Sequence, residues 1–236
     1  MPSSNLADLL ILEQKIRIKF KNRLLFETAF IHKSYLNEHK ADTRSDNERL
    51  EFLGDAVLEL VTTEYLYEAF PETGEGQLTS FRSALVKGKH LAEVARSLGL
   101  GKYLLLSRGE EKSGGREKNY ILANTLEALI GAIYLDRGFS TSHKFISRFI
   151  LTNLGDILKK GLHVDAKSRL QEFSQEKFGV TPAYQVLSES GPDHNKIFEV
   201  GVLLGERSVG KGTGSSKQKA EEQAAISALK ELKVVI

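Results

Sequence analysis

The sequence contains no cysteine, which excludes a disulfide framework, thiolate metal sites and a cysteine nucleophile, and is compatible with a reducing compartment. It has no run of about eighteen uninterrupted apolar residues. The opening MPSSNLADLLILEQKIRIKF has neither a basic n-region nor a small-residue cleavage site. A soluble cytoplasmic protein with no membrane attachment is expected. An excess of charge is missing as well: 33 Lys and Arg face 31 Asp and Glu, for a net charge of +2. The global balance therefore announces no nucleic-acid partner, and any basic patch has to be local. No internal repeat is visible, which excludes solenoids. What is present is 236 residues with 41% hydrophobic and 27% charged side chains, enough for one or two buried cores.

From residue 5 to about 155 apolar residues recur at three- and four-residue spacing, in LADLLILEQKI, LLFETAFIHKSYL, RLEFLGDAVLELVTTEYLYEAF, LTSFRSALVKGKHLAEVARSL, YILANTLEALIGAIYLD and SHKFISRFILTNL. This spacing predicts an all-α domain over residues 1–155 with six or more helices. Breaks are expected at FPETGEGQ and at SRGEEKSGGREK (107–118), the latter as an exposed loop with no packed element. A polar joint at 156–164 precedes a change of period. Over 165–236 the pattern reads as a helix, three strand-like runs (Ala183–Leu187, Ile197–Leu204, Ser208–Gly210) and an Ala-rich closing helix. The expected unit is a small α+β domain, α-β-β-β-α, with both helices on one face of the sheet.

In NERLEFLGD, Glu48, Glu51 and Asp55 stand at i, i+3 and i+7, which puts three carboxylates on one stripe of a helix. A solvated acidic face is the ordinary meaning of such spacing. Against it, Leu50, Phe52, Leu53, Ala56, Val57, Leu58, Leu60 and Val61 make nearly every other face apolar, leaving little of the helix for solvent. Gly54, a poor helix former, lies inside the stripe and permits close approach by another backbone or a ligand. A second helix, YILANTLEALIGAIYLD, is apolar almost all round yet carries Asn124 and Glu127 at i, i+3, with no Lys or Arg between Tyr120 and Leu135. A carboxylate in such a run needs a cation or strong hydrogen bonds. Either a basic residue from elsewhere pairs with Glu127, or the two oxygen-bearing stripes meet around a hard divalent cation such as Mg²⁺. The second arrangement suits phosphodiester hydrolysis.

NERLEFLGD, GEEKSGGR and ILANTLEALIGAIYLD together resemble the signature segments of bacterial ribonuclease III, and the C-terminal unit with its GTGSSKQKAEEQAA ending resembles a double-stranded RNA-binding domain. The resemblance covers nearly the whole chain in the family's order. It implies a helical endonuclease domain followed by the RNA-binding domain, acting as a homodimer with two catalytic centres in one valley. It also implies Mg²⁺-dependent cleavage of double-stranded RNA (Mn²⁺ as a substitute), leaving 5′-phosphate and 3′-hydroxyl ends with two-nucleotide 3′ overhangs, in the processing of ribosomal and messenger RNA. Carried over by position, the metal-binding residues are Glu51, Asn124 and Glu127, and the catalytic residues Asp55 and Glu127. Glu48 and Glu75 are supporting acidic positions. The family's usual residue at position 124 is aspartate. Asn124 keeps an oxygen ligand but brings no charge, so a non-catalytic or weakened RNA-binding homodimer is the alternative reading.

The C-terminal unit makes a separate case for nucleic acid. Arg207, Lys211, Lys217 and Lys219 cluster against Glu206 alone, and Lys217 and Lys219 open the last helix, where backbone N–H groups already favour anions. Ser168, Gln171, Glu172 and Gln175 share one face of the first helix, in reach of minor-groove ribose hydroxyls. The resemblance adds His194, in the loop after the first strand. Two other motifs are set aside. GERSVGK (205–211) matches the start of a phosphate-binding loop but continues with Gly212 where Ser or Thr and a helix are required, so no nucleotide cofactor is expected. His32-Lys33-Ser34 has no local acid to orient the histidine and reads as structural or RNA-facing. A helical metal-dependent hydrolase of small phosphorylated substrates remains a third reading, disfavoured by the duplex-binding unit.

Overall fold

The structure, a computed structural model, describes residues 6–159, 166–192 and 196–234. The chain divides into two compact units, Met1–His163 and Val164–Ile236.

The first unit is helical: α1 (Leu6–Ile16), α2 (Arg23–Thr28), α3 (Lys33–Glu38), α4 (Glu48–Ala69), α5 (Glu75–Leu85), α6 (Gly88–Leu98), α7 (Arg108–Lys112), α8 (Asn119–Arg137), α9 (Phe139–Phe149) and α10 (Leu154–Lys159). Two runs that read as single helices are each broken in two. Between α2 and α3, Ile31 leaves the helix to form an isolated parallel bridge with Leu105. Between α5 and α6, the α5 end is capped at Val86 and Lys87 takes extended backbone. The α8 helix is the axis of the core: Ile121, Leu122, Leu126, Leu129, Ile130 and Ile133 are all buried, and α4 and α6 pack along it.

The α4–α8 contact depends on two glycines facing each other. A Cβ on Gly54 would lie 1.8 Å from the Glu127 carbonyl oxygen, and one on Gly131 would lie 2.2 Å from the Leu50 carbonyl oxygen. Only hydrogen fits at either place, so the two backbones touch there. Gly54 therefore serves helix packing rather than ligand access, and this packing sets the acidic stripe of α4 against α8.

Residues 107–118 are not the unstructured loop expected from their glycine and charge. Ser107 caps α7 by accepting from the Glu110 N–H, at 3.1 Å, and Lys118 Nζ reaches Glu110 Oε1 at 2.6 Å. Arg116 donates to the carbonyls of Gly101 and Leu104, both at 2.9 Å. The charges are paired with one another and with backbone, so a polar segment packs without an apolar face.

Inside α4, Thr62 is fully buried and its hydroxyl finds no hydrogen-bond partner among the described residues. Thr62→Val keeps the shape and removes the unpaired oxygen. It is expected to raise the stability of this unit by about 1 kcal/mol in denaturant titration; a loss of stability would show that the hydroxyl is satisfied after all.

The second unit runs α11 (Ala166–Phe178), β1 (Pro182–Ser190), β2 (Ile197–Leu204), β3 (Arg207–Gly214) and α12 (Lys217–Glu231), with an antiparallel sheet in the order β1-β2-β3. Val200, Val202, Leu204 and Val209 face Ala166, Leu170, Ala220, Ala224, Ala225 and Ala228, which places both helices against one face. Two strands are longer than their sequences suggest. KGTG after Gly210 reads as loop, yet Gly210, Gly212 and Gly214 lie on β3 because α12 rests on them: a Cβ on Gly212 would meet the Ala224 nitrogen at 2.2 Å. The β2–β3 turn uses Gly205 at φ +62°, and GERSVGK is thus a hairpin followed by strand, not a phosphate loop.

Candidate functional site

The signature helix α4 starts at a buried anchor. Asn47 is 4% exposed; its side-chain amide donates to the Ala29 carbonyl at 3.2 Å and its backbone N–H to Ile31 at 2.9 Å. One turn later the helix carries Glu51, and two turns later Asp55. Gly54 brings this stripe against α8, where Asn124 and Glu127 face it. The Asn124 amide donates to the Glu51 carboxylate across the two helices.

Glu51, Asp55, Asn124 and Glu127 thus stand near one another: Asn124 is hydrogen-bonded to Glu51, and the charges of Asp55 and Glu51 act on Glu127. Half-buried Glu127 is pushed up to about 8, first by burial and then by the charges of Asp55 and Glu51. Glu51 is also raised by burial, against the Asn124 hydrogen bond, and Asp55 is raised by desolvation and by Glu59. Among the described residues, no basic side chain acts on Glu127 to offset this. The side chains are near neighbours rather than a closed ligand shell: among the described residues, no group of three His, Cys, Asp or Glu stands close enough to hold a metal ion. Like charges at short range repel, which is sufficient reason for them to stand apart.

The supporting acids differ. Glu48 is exposed and its two oxygens take Lys33 Nζ at 3.1 and 3.2 Å. This partner of the acidic stripe was missed in the sequence, because Lys33 lies in another helix with nothing in the intervening residues to mark it. Glu75 is exposed at the first turn of α5, on a different helix from the four central residues. His32 is the N-cap of α3, its ring nitrogen 2.8 Å from Ser34 Oγ, and Ser34 accepts the Ser107 N–H at 3.1 Å. His32 and Ser34 thus have structural roles at the start of α3.

On α4 the apolar residues do not all turn inward. Phe52 is 81% exposed, Leu60 58% and Tyr67 75%. With exposed Ala56 they form one stripe beside the carboxylates, contrary to the expectation that little of this helix meets solvent.

In the second unit Ser168, Gln171, Glu172 and Gln175 are all exposed on α11. Glu172 pairs with Arg169 at 3.6 Å, and Gln175 accepts from Thr181 at 3.3 Å. Lys217 and Lys219 occupy the first turn of α12, behind the Ser216 cap. Arg207 lies 3.9 Å from Glu231, and Lys217 lies 3.3 Å from Glu189. The basic cluster is thus less bare than its sequence suggests. His194 lies outside the described residues.

Comparison with known proteins gives the family. Residues 22–154 match the family described as ribonuclease-III-like, and residues 166–232 match the double-stranded RNA binding motif. Ribonuclease 3 of Bacillus cereus is 44% identical over 223 residues, covering 94% of this chain and 91% of the relative. The chain belongs to the ribonuclease III family. Its two units are the family's helical nuclease domain and a double-stranded RNA-binding domain, and it is an endoribonuclease. Ribonuclease 3 of Dehalococcoides mccartyi is 43% identical over 226 residues, 96% of this chain and 95% of the relative. The solved nuclease domain of ribonuclease III from Campylobacter jejuni is similar with a TM-score of 0.56 and 46% identity, over 60% of this chain and 95% of that one. No helix among the described residues is long and apolar enough to cross a membrane.

Proposed function

We propose that this ribonuclease III cleaves double-stranded RNA with Mg²⁺ at the α4–α8 site, Mn²⁺ serving as a substitute. The observation that carries the reading is the Gly54–Gly131 contact, which sets Glu51 and Asp55 near Asn124 and Glu127 and leaves a half-buried carboxylate that burial and its acidic neighbours raise, with no basic side chain acting on it among the described residues. The donor set fits the ion, since carboxylate and amide oxygens are what Mg²⁺ takes. Glu51, Asn124 and Glu127 would hold it, and Asp55 with Glu127 would orient the hydrolytic water. Mg²⁺ supplies Lewis acidity and neutralises charge on the leaving oxygen. Glu48, held by Lys33, and Glu75 support the acidic field from outside the ligand set. Hydrolysis in this arrangement leaves 5′-phosphate and 3′-hydroxyl ends, with 3′ overhangs where two centres act on opposite strands. Ribosomal and messenger RNA precursors in the cytoplasm are the duplexes such an enzyme would process.

Two centres require two chains. The exposed stripe Phe52, Ala56, Leu60 and Tyr67 runs beside the acids, and a homodimer joined along α4 would cover it and set the two sites in one valley. Exposed apolar stripes of this kind mark association surfaces. The RNA-binding domain would present Ser168, Gln171, Glu172 and Gln175 to the ribose hydroxyls and Lys217 and Lys219 to phosphates, with His194 at the minor groove.

Asn124 favours one alternative, an RNA-binding homodimer with weakened hydrolysis. Its amide stabilises Glu51 where an aspartate would repel it. Asn124→Asp therefore separates the readings. With metal at the site, the added charge is expected to lower the Mg²⁺ concentration for half-maximal cleavage by about tenfold, to lower the metal-free melting temperature, and to enlarge the Mg²⁺-induced rise. If neither the titration nor the melting shift changes, position 124 lies outside the metal shell. If the parent binds duplex without cutting it and only Asn124→Asp cuts, the alternative holds.

A further inference from the structure

At the open end of the RNA-binding domain, the last residues of β1 meet the start of α12. Glu189 is one residue from the end of β1, opposite Phe198 of β2, which in turn stands opposite Gly214 at the end of β3. Its two carboxylate oxygens are divided between two lysines. Oε1 lies 3.3 Å from Lys217 Nζ and Oε2 lies 3.4 Å from Lys196 Nζ. The Lys217 ammonium is also 5.6 Å from the centre of the Phe198 ring. Lys196 is the last residue before β2 and Lys217 the first of α12, so one carboxylate joins the β1–β2 connection to the helix start.

We propose that Glu189 limits the affinity of the RNA interface: its carboxylate occupies, against Lys196 and Lys217, the place that an RNA phosphate takes in the complex, and duplex RNA binds by displacing it. The inference rests on the reading of the α12 start as a phosphate-binding surface. A carboxylate and a phosphate oxygen compete for the same ammonium donors. The pairs are partly exposed, with side-chain exposures of 36% for Glu189, 58% for Lys217 and 39% for Lys196. Exposed ion pairs of this kind are weak, so the polyanion can break them. They also contribute little pre-organisation, which means that the dominant effect of Glu189 on a bound duplex is repulsion between its charge and the phosphates. The same carboxylate keeps the lysines from acting as a permanent anion trap, and sets how strongly binding responds to salt.

The test is duplex RNA binding by the full-length protein in Ca²⁺, over a range of KCl. Glu189→Gln keeps the side-chain shape and a hydrogen-bond acceptor while removing the charge. It is expected to tighten binding about fivefold at ~0.1 M salt and to steepen the slope of log K against log salt by about one. Glu189→Asp, whose carboxylate is withdrawn by one methylene, should fall between parent and Gln. In a Lys217→Ala background the gain from Glu189→Gln should shrink to about twofold or less, because half of what the carboxylate masks is gone. Unchanged or weaker binding by Glu189→Gln overturns the proposal, as does an undiminished gain in the Lys217→Ala background, which would mean a general charge effect. If Lys217→Ala alone leaves parent affinity and salt slope unchanged, what fails is the placement of phosphate at α12. That outcome is distinguishable from failure of the inference about Glu189.

Discussion

Glu127→Gln is expected to reduce duplex cleavage by about a thousandfold or more at saturating Mg²⁺, since removing an anionic ligand that also orients the water costs several kcal/mol of transition-state stabilisation. Duplex binding should change less than about twofold, because in the proposed site Glu127 serves the ion on α8 and makes no contact with the RNA backbone. The same substitution has a signature that needs no substrate. In the parent, Glu127 is raised from an ordinary 4.5 to about 8 by burial and by Asp55 and Glu51. The folded chain then binds a proton that the unfolded chain has released, so the contribution of Glu127 to metal-free stability is fully present below about pH 4.5 and is lost as pH rises toward 8. Glutamine does not titrate. The metal-free melting temperature of Glu127→Gln should therefore fall less between pH 5 and 8 than that of the parent, and Mg²⁺ should raise it less. Equal cleavage by variant and parent would remove Glu127 from the site.

Gly54→Ala is the second large effect. Alanine is the better helix former by about 1 kcal/mol, so on propensity alone the change should stabilise α4. The close approach reverses the sign: the new methyl would lie 1.8 Å from the Glu127 carbonyl oxygen and 2.9 Å from the Gly131 nitrogen, both backbone atoms that cannot turn aside. The helices must separate, and the loss is expected to be about 3 kcal/mol or more. Cleavage should fall even in the fraction that remains folded, since the displaced atom belongs to Glu127 itself. Gly109→Ala is the control, because nothing lies within 4 Å of its Cβ position and it sits in helical turn α7. Its stability should match the parent's or exceed it by up to about 1 kcal/mol. Melting curves of the two variants decide the matter; a Gly54→Ala protein as stable as the parent would show that the helices are not in backbone contact.

These two positions also mark what could be read from the sequence. Carboxylates at i, i+3 and i+7 on one helix, and a Glu in an otherwise apolar second helix, carry their meaning in one-dimensional spacing, because helix periodicity fixes which residues share a face. Gly54 was visible as an anomaly, but spacing does not say whether a missing side chain admits a ligand or another helix. That needs the partner, Gly131, 77 positions later. Phe52 and Leu60 failed for a related reason: an apolar residue on a helix is read as core, and only the packed chain shows which face was left uncovered. The longer β3 was hidden because Gly210, Gly212 and Gly214 count as loop formers locally, whereas here they are demanded by α12. Charge pairing was the least legible feature. Lys33 with Glu48, and Glu189 with Lys196 and Lys217, are contacts between elements, and a run of basic residues gives no sign of the acid that meets it in space.

The most direct measurement is cleavage of one RNA strand, supplied alone and annealed to its complement, across a Mg²⁺ titration, with the product ends identified. A duplex-specific, Mg²⁺-dependent cut leaving 5′-phosphate and 3′-hydroxyl ends, absent in EDTA and in Glu127→Gln, is the predicted result. Cleavage of the single strand at the same rate, or cleavage that persists in EDTA, would contradict the account.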